Sequence, residues 1–65
     1  MKILLSQIMS QKNISVRKLE MLSGIPKSTI ADIMNGHQCP RLDTLEVFAR
    51  AMKCRITDLF ESDLK

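Results

Sequence analysis

The chain has 65 residues, 45% of them apolar and 26% charged, with two Phe and no Trp or Tyr. A chain this short folds as one domain around one small core and rarely encloses the walled cleft of an enzyme. No apolar run approaches the ~20 residues of a membrane span. We therefore expect no enzyme, no small-molecule substrate and no membrane partner.

The net charge of +3 is unevenly distributed along the chain. Residues 1–41 carry six Lys or Arg against Glu20 and Asp32, a balance of +4, whereas residues 42–65 carry four basic and five acidic groups, a balance of −1. A basic side that faces a polyanion and a near-neutral packing side would give this distribution. An ordinary solvated surface also explains it, so charge alone leaves nucleic acid as one possibility.

The cysteines and the single histidine give little support to a metal site or a disulfide. The sequence shows no signal-peptide pattern. We therefore expect Cys39 and Cys54 to be reduced thiols in the cytoplasm. His37 and Cys39 resemble half a zinc site, but zinc needs four ligands in paired short spacings and Cys54 could supply only a third. We expect no metal and no cofactor.

The apolar spacing predicts two helices before Gly24. The first covers about residues 2–11, and its apolar stripe consists of Leu4, Leu5, Ile8 and Met9. Asn13 tolerates a left-handed conformation and should end it. Ser15 should cap a second helix over about 16–22 by accepting a free backbone N–H. The buried side of this helix is predicted to contain Val16, Leu19 and Leu22.

Three further helices are predicted after Gly24. The third covers about 26–34, with Pro26 in its first turn and Asn35-Gly36 as its stop signal. The fourth covers about 42–52, with one face formed by Leu42, Leu45, Phe48, Ala49 and Met52. The fifth covers about 56–62 and buries Ile56, Leu59 and Phe60. No useful length of chain alternates with period two, so we predict an all-α fold without strands.

The second and third helices are joined by about three residues, Ser23-Gly24-Ile25, which forces a steep crossing. Two crossed helices must share apolar residues, and these fall at offsets of −5, +1, +6 and +9 from Gly24, namely Leu19, Ile25, Ile30 and Ile33. This spacing indicates a helix-turn-helix. A helical hairpin within a small bundle is the alternative for the segment taken alone.

Over about residues 3–60 the chain resembles the lambda Cro/C1-type (XRE-type) helix-turn-helix family of phage and bacterial repressors. The resemblance rests on I-S-V-R-K-L-E-M-L-S-G-I-P-K-S-T-I-A-D-I-M-N-G, on Pro40, and on L-D-T-L-E-V-F-A-R-A-M-K-C-R-I-T-D-L-F. It implies a compact, five-helix, lambda-repressor-like domain over residues 1–65, with its third helix in the DNA major groove. The resemblance implies that Lys27, Ser28, Ala31 and Asp32 read base edges. Thr29 joins these base-reading candidates because it lies with Ser28 at the helix N-terminus, where both can donate to bases or a phosphate. The expected phosphate contacts are Ser15, Arg17, Asn35, His37, Gln38 and Arg41.

Several positions depart from the family pattern. Met9 and Met34 stand where the family commonly buries an Arg–Glu pair, so we predict that they touch. Val16 replaces a phosphate-binding Gln. Glu20 replaces an Ala of the second helix and could lean toward the positive N-terminus of the third. Arg41 replaces a capping Ser or Thr, which suggests a phosphate or minor-groove partner or a substitution without a role.

The expected function is sequence-specific binding of double-stranded DNA by a transcriptional regulator, with a repressor favoured. One helix reads only a few base pairs, so we expect a homodimer on two half-sites. Ile56, Phe60 and Leu64 could form its interface or could simply seal a thin core. An antitoxin or another protein-binding module on the same fold is the alternative.

Overall fold

The computed structural model describes residues 2–64, which form four α-helices, one 3-10 turn and a two-stranded sheet. The elements, in chain order, are β1 (Lys2–Ile3), α1 (Leu5–Gln11), α2 (Val16–Ser23), α3 (Lys27–Met34), α4 (Leu42–Met52), the 3-10 turn (Ile56–Asp58) and β2 (Phe60–Glu61). The predicted domain extends over 1–65 and so includes Met1 and Lys65, which lie outside the described residues.

Local signals set the helix ends as the sequence predicted. Asn13 has a φ of 55° just after α1, and Gly24 ends α2 with a φ of 75°. The Ser15 hydroxyl oxygen accepts the Lys18 N–H at 3.1 Å and caps α2. Gly36, with a φ of 78°, closes the turn after α3. Such left-handed positions favour Gly and Asn because other side chains are strained there.

The core is aliphatic and surrounds Phe48, which is fully buried. Its other buried members are Leu5, Met9, Leu19, Ile30, Ile33, Leu45, Ala49, Met52 and Leu59. α2 packs against both α3 and α4, and α1 packs against α3. Met34 packs on the cluster that contains Met9, and no charged group is buried among residues 2–64. Direct Met9–Met34 contact stays a prediction.

Two leucines predicted to be buried are largely exposed. Leu22 is 51% exposed and Leu42 is 68% exposed. At about 100° per residue, Leu22 lies to one side of Leu19, and α2 buries its opposite flank, where Val16 and Ser23 are half-buried. Leu42 is the first residue of α4 and therefore projects beyond the core.

The predictions of a fifth helix and of no strands were wrong. Residues 56–58 make one 3-10 turn, and β2 then pairs antiparallel with β1, with Lys2 opposite Glu61 and Ile3 opposite Phe60. The Leu4 N–H also donates to the Leu59 carbonyl oxygen at 2.8 Å. Strands of two residues are too short to show an alternating pattern, and their pairing joins distant parts of the chain. The sheet also shortens helix 1, which begins at Leu5 instead of residue 2.

Candidate nucleic-acid interface

Hydrogen bonds on both sides fix the turn between α2 and α3. The Ser23 hydroxyl donates to the Leu19 carbonyl at 2.6 Å and accepts the Ile25 N–H at 3.2 Å. The Gly24 N–H donates to the Glu20 carbonyl at 2.9 Å. Because Leu19 is also fully buried, the turn is anchored to the core. The geometry is that of the predicted helix-turn-helix.

One side of α3 is buried and holds the helix in place. Ile30 is 0% exposed and Ile33 is 2% exposed, while Met34 is half-buried against the same core cluster. Ile25, which enters α3 from the turn, also packs on this cluster. The shared apolar residues predicted from their spacing around Gly24 therefore do meet.

The opposite side of α3 carries small or polar side chains. Lys27, Ser28 and Asp32 are exposed, and Ala31 is half-buried. Successive residues advance by about 100°, which places Ser28 and Asp32 near the middle of this side and Lys27 at one edge. A helix that enters a groove of ~12 Å needs such a narrow polar face.

Thr29 differs from the other predicted base-reading residues. It is half-buried, at the edge between the exposed and buried sides of α3. Its N–H donates to the Pro26 carbonyl at 3.0 Å, so this amide is not available to DNA. The Ser28 N–H, by contrast, has no acceptor among residues 2–64. Of these two amides, the Ser28 N–H is therefore the one that is free to donate to DNA.

The residues predicted to contact phosphates lie exposed at three places. Ser15 and Arg17 lie at the start of α2, and the next residue, Lys18, is an exposed cation that the sequence prediction did not include. The positive charge of Lys18 near the start of α2 was the signal from which it could have been predicted as a phosphate contact. The second place follows α3 and comprises Asn35, His37 and Gln38.

The loop after α3 is tied to the end of that helix. The Asp32 carbonyl accepts the N–H of His37 at 2.8 Å and that of Gln38 at 3.3 Å. The Gly36 N–H donates to the Ile33 carbonyl at 3.2 Å. These bonds satisfy carbonyls that a helix end otherwise leaves free, so the loop side chains have fixed backbone positions beside α3.

Arg41 is the remaining predicted phosphate contact, and it lies exposed just before α4. As expected, its side chain does not cap the helix, and the Asp43 carboxylate instead accepts the Thr44 N–H at 2.9 Å. The Arg41 Nε lies 3.6 Å from the same carboxylate, and the two side chains are 84% and 70% exposed. Exposed ion pairs contribute little, so the guanidinium can exchange this partner for a phosphate at small cost.

Glu20 caps α3 from the preceding helix. Pro26 occupies the N-cap position and makes no side-chain cap, while Glu20 Oε2 accepts the Lys27 N–H at 2.8 Å. The sequence had suggested that Glu20 leans toward this helix start, and the structure confirms it. The carboxylate is favoured there because the helix dipole makes the N-terminus positive.

Other chemistry has little support in the part of the chain that the structure describes. No group of three or more His, Cys, Asp and Glu is arranged to hold a metal ion within residues 2–64. Cys39 and Cys54 are free, and burial raises the pKa of the Cys54 thiol, with a smaller effect from Asp58. None of the described helices is long and apolar enough to cross a membrane.

A sequence profile of the Cro/C1-type HTH DNA-binding domain matches residues 4–63. The chain belongs to the Cro/C1-type helix-turn-helix DNA-binding family. Domains of this Cro/C1-type family bind DNA and are typically not enzymes. A comparison with curated proteins found no match.

Proposed function

We propose that this Cro/C1-type protein is a sequence-specific transcriptional regulator, a phage-like or bacterial repressor, that binds double-stranded DNA with α3 in the major groove. The observation that carries the proposal is the two-sided α3. Ile30 and Ile33 fix the helix in the core, and Lys27, Ser28 and Asp32 stand exposed on its other side. Many surface helices are two-sided, and the helix-turn-helix geometry together with the Cro/C1-type match is what directs this polar face toward DNA.

The exposed groups of α3 have distinct base preferences. The Lys27 ammonium can donate to guanine N7 and O6, and the Asp32 carboxylate can accept from cytosine N4. Ala31 can meet a thymine methyl group. Ser28 can donate from both its hydroxyl and its free N–H, and Thr29 can add only its hydroxyl because its N–H is bonded to Pro26. These groups together would read a few adjacent base pairs.

The flanking groups would set the position of the domain on the duplex. Phosphate contacts carry little sequence information but fix register and orientation. The proposed contacts are Ser15 and Arg17 at the start of α2, Asn35, His37 and Gln38 after α3, and Arg41 before α4, all exposed.

We further propose that the protein acts as a homodimer in the cytoplasm. An eight-residue α3 reads too few base pairs for a unique site, and two copies on half-sites about 34 Å apart would double the recognised sequence. Of the residues considered for the interface, Ile56 and Phe60 are half-buried against the core, whereas Leu64 is 95% exposed. A palindromic selected site, together with a dimer mass in sedimentation equilibrium, would support this; a single half-site bound by a monomer would contradict it.

The test is selection of binding sites from random duplexes with the wild type, Lys27→Ala and Asp32→Ala. Each substitution should relax the preference at one base position by about 1–3 kcal/mol, at guanine for Lys27 and at cytosine for Asp32. Lys12→Ala is the matched control because it removes an exposed lysine after α1, outside the α2–α3 pair, and should keep the selected sequence. If neither α3 substitution changes the sequence, the reading face is assigned wrongly.

A protein-binding function, such as that of an antitoxin, is the second candidate. Its support is the exposed apolar surface of α2, where Met21 is 78% and Leu22 is 51% exposed. Salt separates the two functions. An affinity that falls steeply as salt rises indicates several phosphate contacts, whereas binding through an apolar surface changes little.

A further inference from the structure

The start of α3 has an unusual cap, formed across the helix-turn-helix by a residue of α2. Pro26 cannot cap with its side chain, and the Glu20 carboxylate takes the Lys27 N–H instead, at 2.8 Å. Glu20 is half-buried, and this hydrogen bond holds its carboxylate beside the start of α3. The negative charge is therefore fixed at the first turn of the helix that is proposed to read DNA.

The first three amides of α3 have different partners. The Lys27 N–H is bound by Glu20 and the Thr29 N–H by the Pro26 carbonyl, while the Ser28 N–H has no acceptor within residues 2–64. A helix N-terminus with free amides attracts phosphate through its dipole and its donors. In this chain a carboxylate already occupies that position, so a second anion would be repelled.

We propose that Glu20 is a specificity-determining positioning residue, which holds the start of α3 and keeps DNA phosphates away from it. The proposal rests on the proposed DNA-binding function. With phosphate excluded, the first turn of α3 meets DNA through the Lys27 and Ser28 side chains, which read bases. Glu20 thereby lowers the affinity for unrelated duplexes, to which phosphate contacts contribute most.

Glu20→Gln separates the charge from the hydrogen bond. A Gln amide oxygen can still accept the Lys27 N–H, as Gln does in capping boxes, but the negative charge is gone. Glu20→Ala removes both. Asp63→Asn is the charge-matched control, since Asp63 is an exposed acid that follows β2 and lies outside the α2–α3 pair.

The experiment measures two quantities on the full chain: hydrogen exchange of the Lys27 amide, and affinity for the selected duplex and an unrelated duplex over a range of salt. Glu20→Gln should keep the amide protected and raise the affinity for the unrelated duplex about two- to fivefold at low salt. The slope of log affinity against log salt should steepen by about 0.9, the value for one added phosphate. Glu20→Ala should also lose the protection of the amide.

The outcomes distinguish this inference from the proposed function. If the wild type binds both duplexes in a salt-dependent way but Glu20→Gln matches Asp63→Asn in affinity and slope, the role of Glu20 is refuted while DNA binding stands. If the wild type binds no duplex, the proposed function fails and the inference fails with it. A Lys27 amide that exchanges equally fast in the wild type and Glu20→Ala would refute the positioning role.

Discussion

Replacing Gly24 with alanine tests the turn on which the orientation of α3 depends. Gly24 has a φ of +75° and a ψ of 8°, the left-handed conformation that ends α2. Its N–H donates to the Glu20 carbonyl at 2.9 Å, a bond that alanine can keep. The substitution therefore changes the backbone preference at this position without removing a contact.

The structure limits the size of the effect. An added Cβ would meet no atom within 4 Å, so no steric clash contributes. The left-handed conformation costs an L-residue about 1–2 kcal/mol. The loss of unfolded-state entropy on replacing Gly offsets about 0.4–1 kcal/mol of this. We expect a net destabilisation of about 1 kcal/mol, which lowers the Tm of a domain of this size by roughly 4–8 °C.

The assay is urea and thermal unfolding followed by circular dichroism, with three chains: the wild type and two forms of Gly24→Ala, one made with L-alanine and one with D-alanine. A chain of 65 residues is accessible to chemical synthesis, which allows the D-residue. D-alanine accepts a positive φ without strain and still restricts the unfolded chain, so it should stabilise by about 0.4–1 kcal/mol. The reasoning is refuted if the L-alanine form is as stable as the wild type, or if the D-alanine form is destabilised as much as the L-alanine form.

Four further predictions concern the core, a cap and the two thiols. Leu19→Ala should lower the unfolding free energy by about 2–5 kcal/mol because Leu19 is fully buried. Leu22→Ala should change that free energy by less than about 1 kcal/mol because Leu22 is 51% exposed. Similar losses at both sites would contradict the packing of α2. Ser15→Ala should lower the unfolding free energy by about 1 kcal/mol through loss of the α2 cap, whereas Ser15→Asp should retain the cap. Equal stability of Ser15→Ala and the wild type would contradict the cap. Iodoacetamide should alkylate exposed Cys39 before half-buried Cys54. Because burial and a nearby carboxylate raise the pKa of Cys54, stability should fall as pH rises above the ordinary thiol pKa, where the unfolded chain loses its proton first; a Cys54→Ala variant with the same pH profile would contradict this.

The helix-turn-helix could be predicted from the sequence because its signals are local. The starts and ends of α2, α3 and α4 agree with the predictions to within one residue. The Ser15 cap and Gly24 mark the ends of α2, and Pro26 and Asn35-Gly36 mark those of α3, because caps and left-handed glycines act over one turn of chain. The bounds of α4 follow from its apolar spacing instead, since Arg41 does not cap it. The β1–β2 pair was not predictable in this way. Its stabilising bonds join Lys2 and Ile3 to Glu61 and Phe60, and no short window of sequence contains both strands.

For the candidate site, the sequence predicts which side chains are exposed but not which hydrogen bonds the backbone amides make. The exposed position of Lys27 and Asp32 follows from helical periodicity around Ile30 and Ile33. Periodicity does not give the hydrogen-bond partner of each backbone amide in the first turn of α3. That partner depends on how Pro26 and Glu20 are placed across the turn. The burial of α2 was also misjudged at Leu22, since periodicity gives the width of an apolar stripe but not which flank its neighbours cover.

The most direct test of α3 as the reading element is a heteronuclear NMR titration of the isotopically labelled protein with its selected duplex. We predict that the largest amide shifts fall on residues 27, 28, 31, 32 and 35–38 and at the start of α2. We also predict intermolecular NOEs that join α3 side chains to major-groove protons, such as the Ala31 methyl group to a thymine methyl. Shifts concentrated on α4 or on β1 and β2, with no NOE from α3 to a base, would contradict the assignment of α3 as the reading helix.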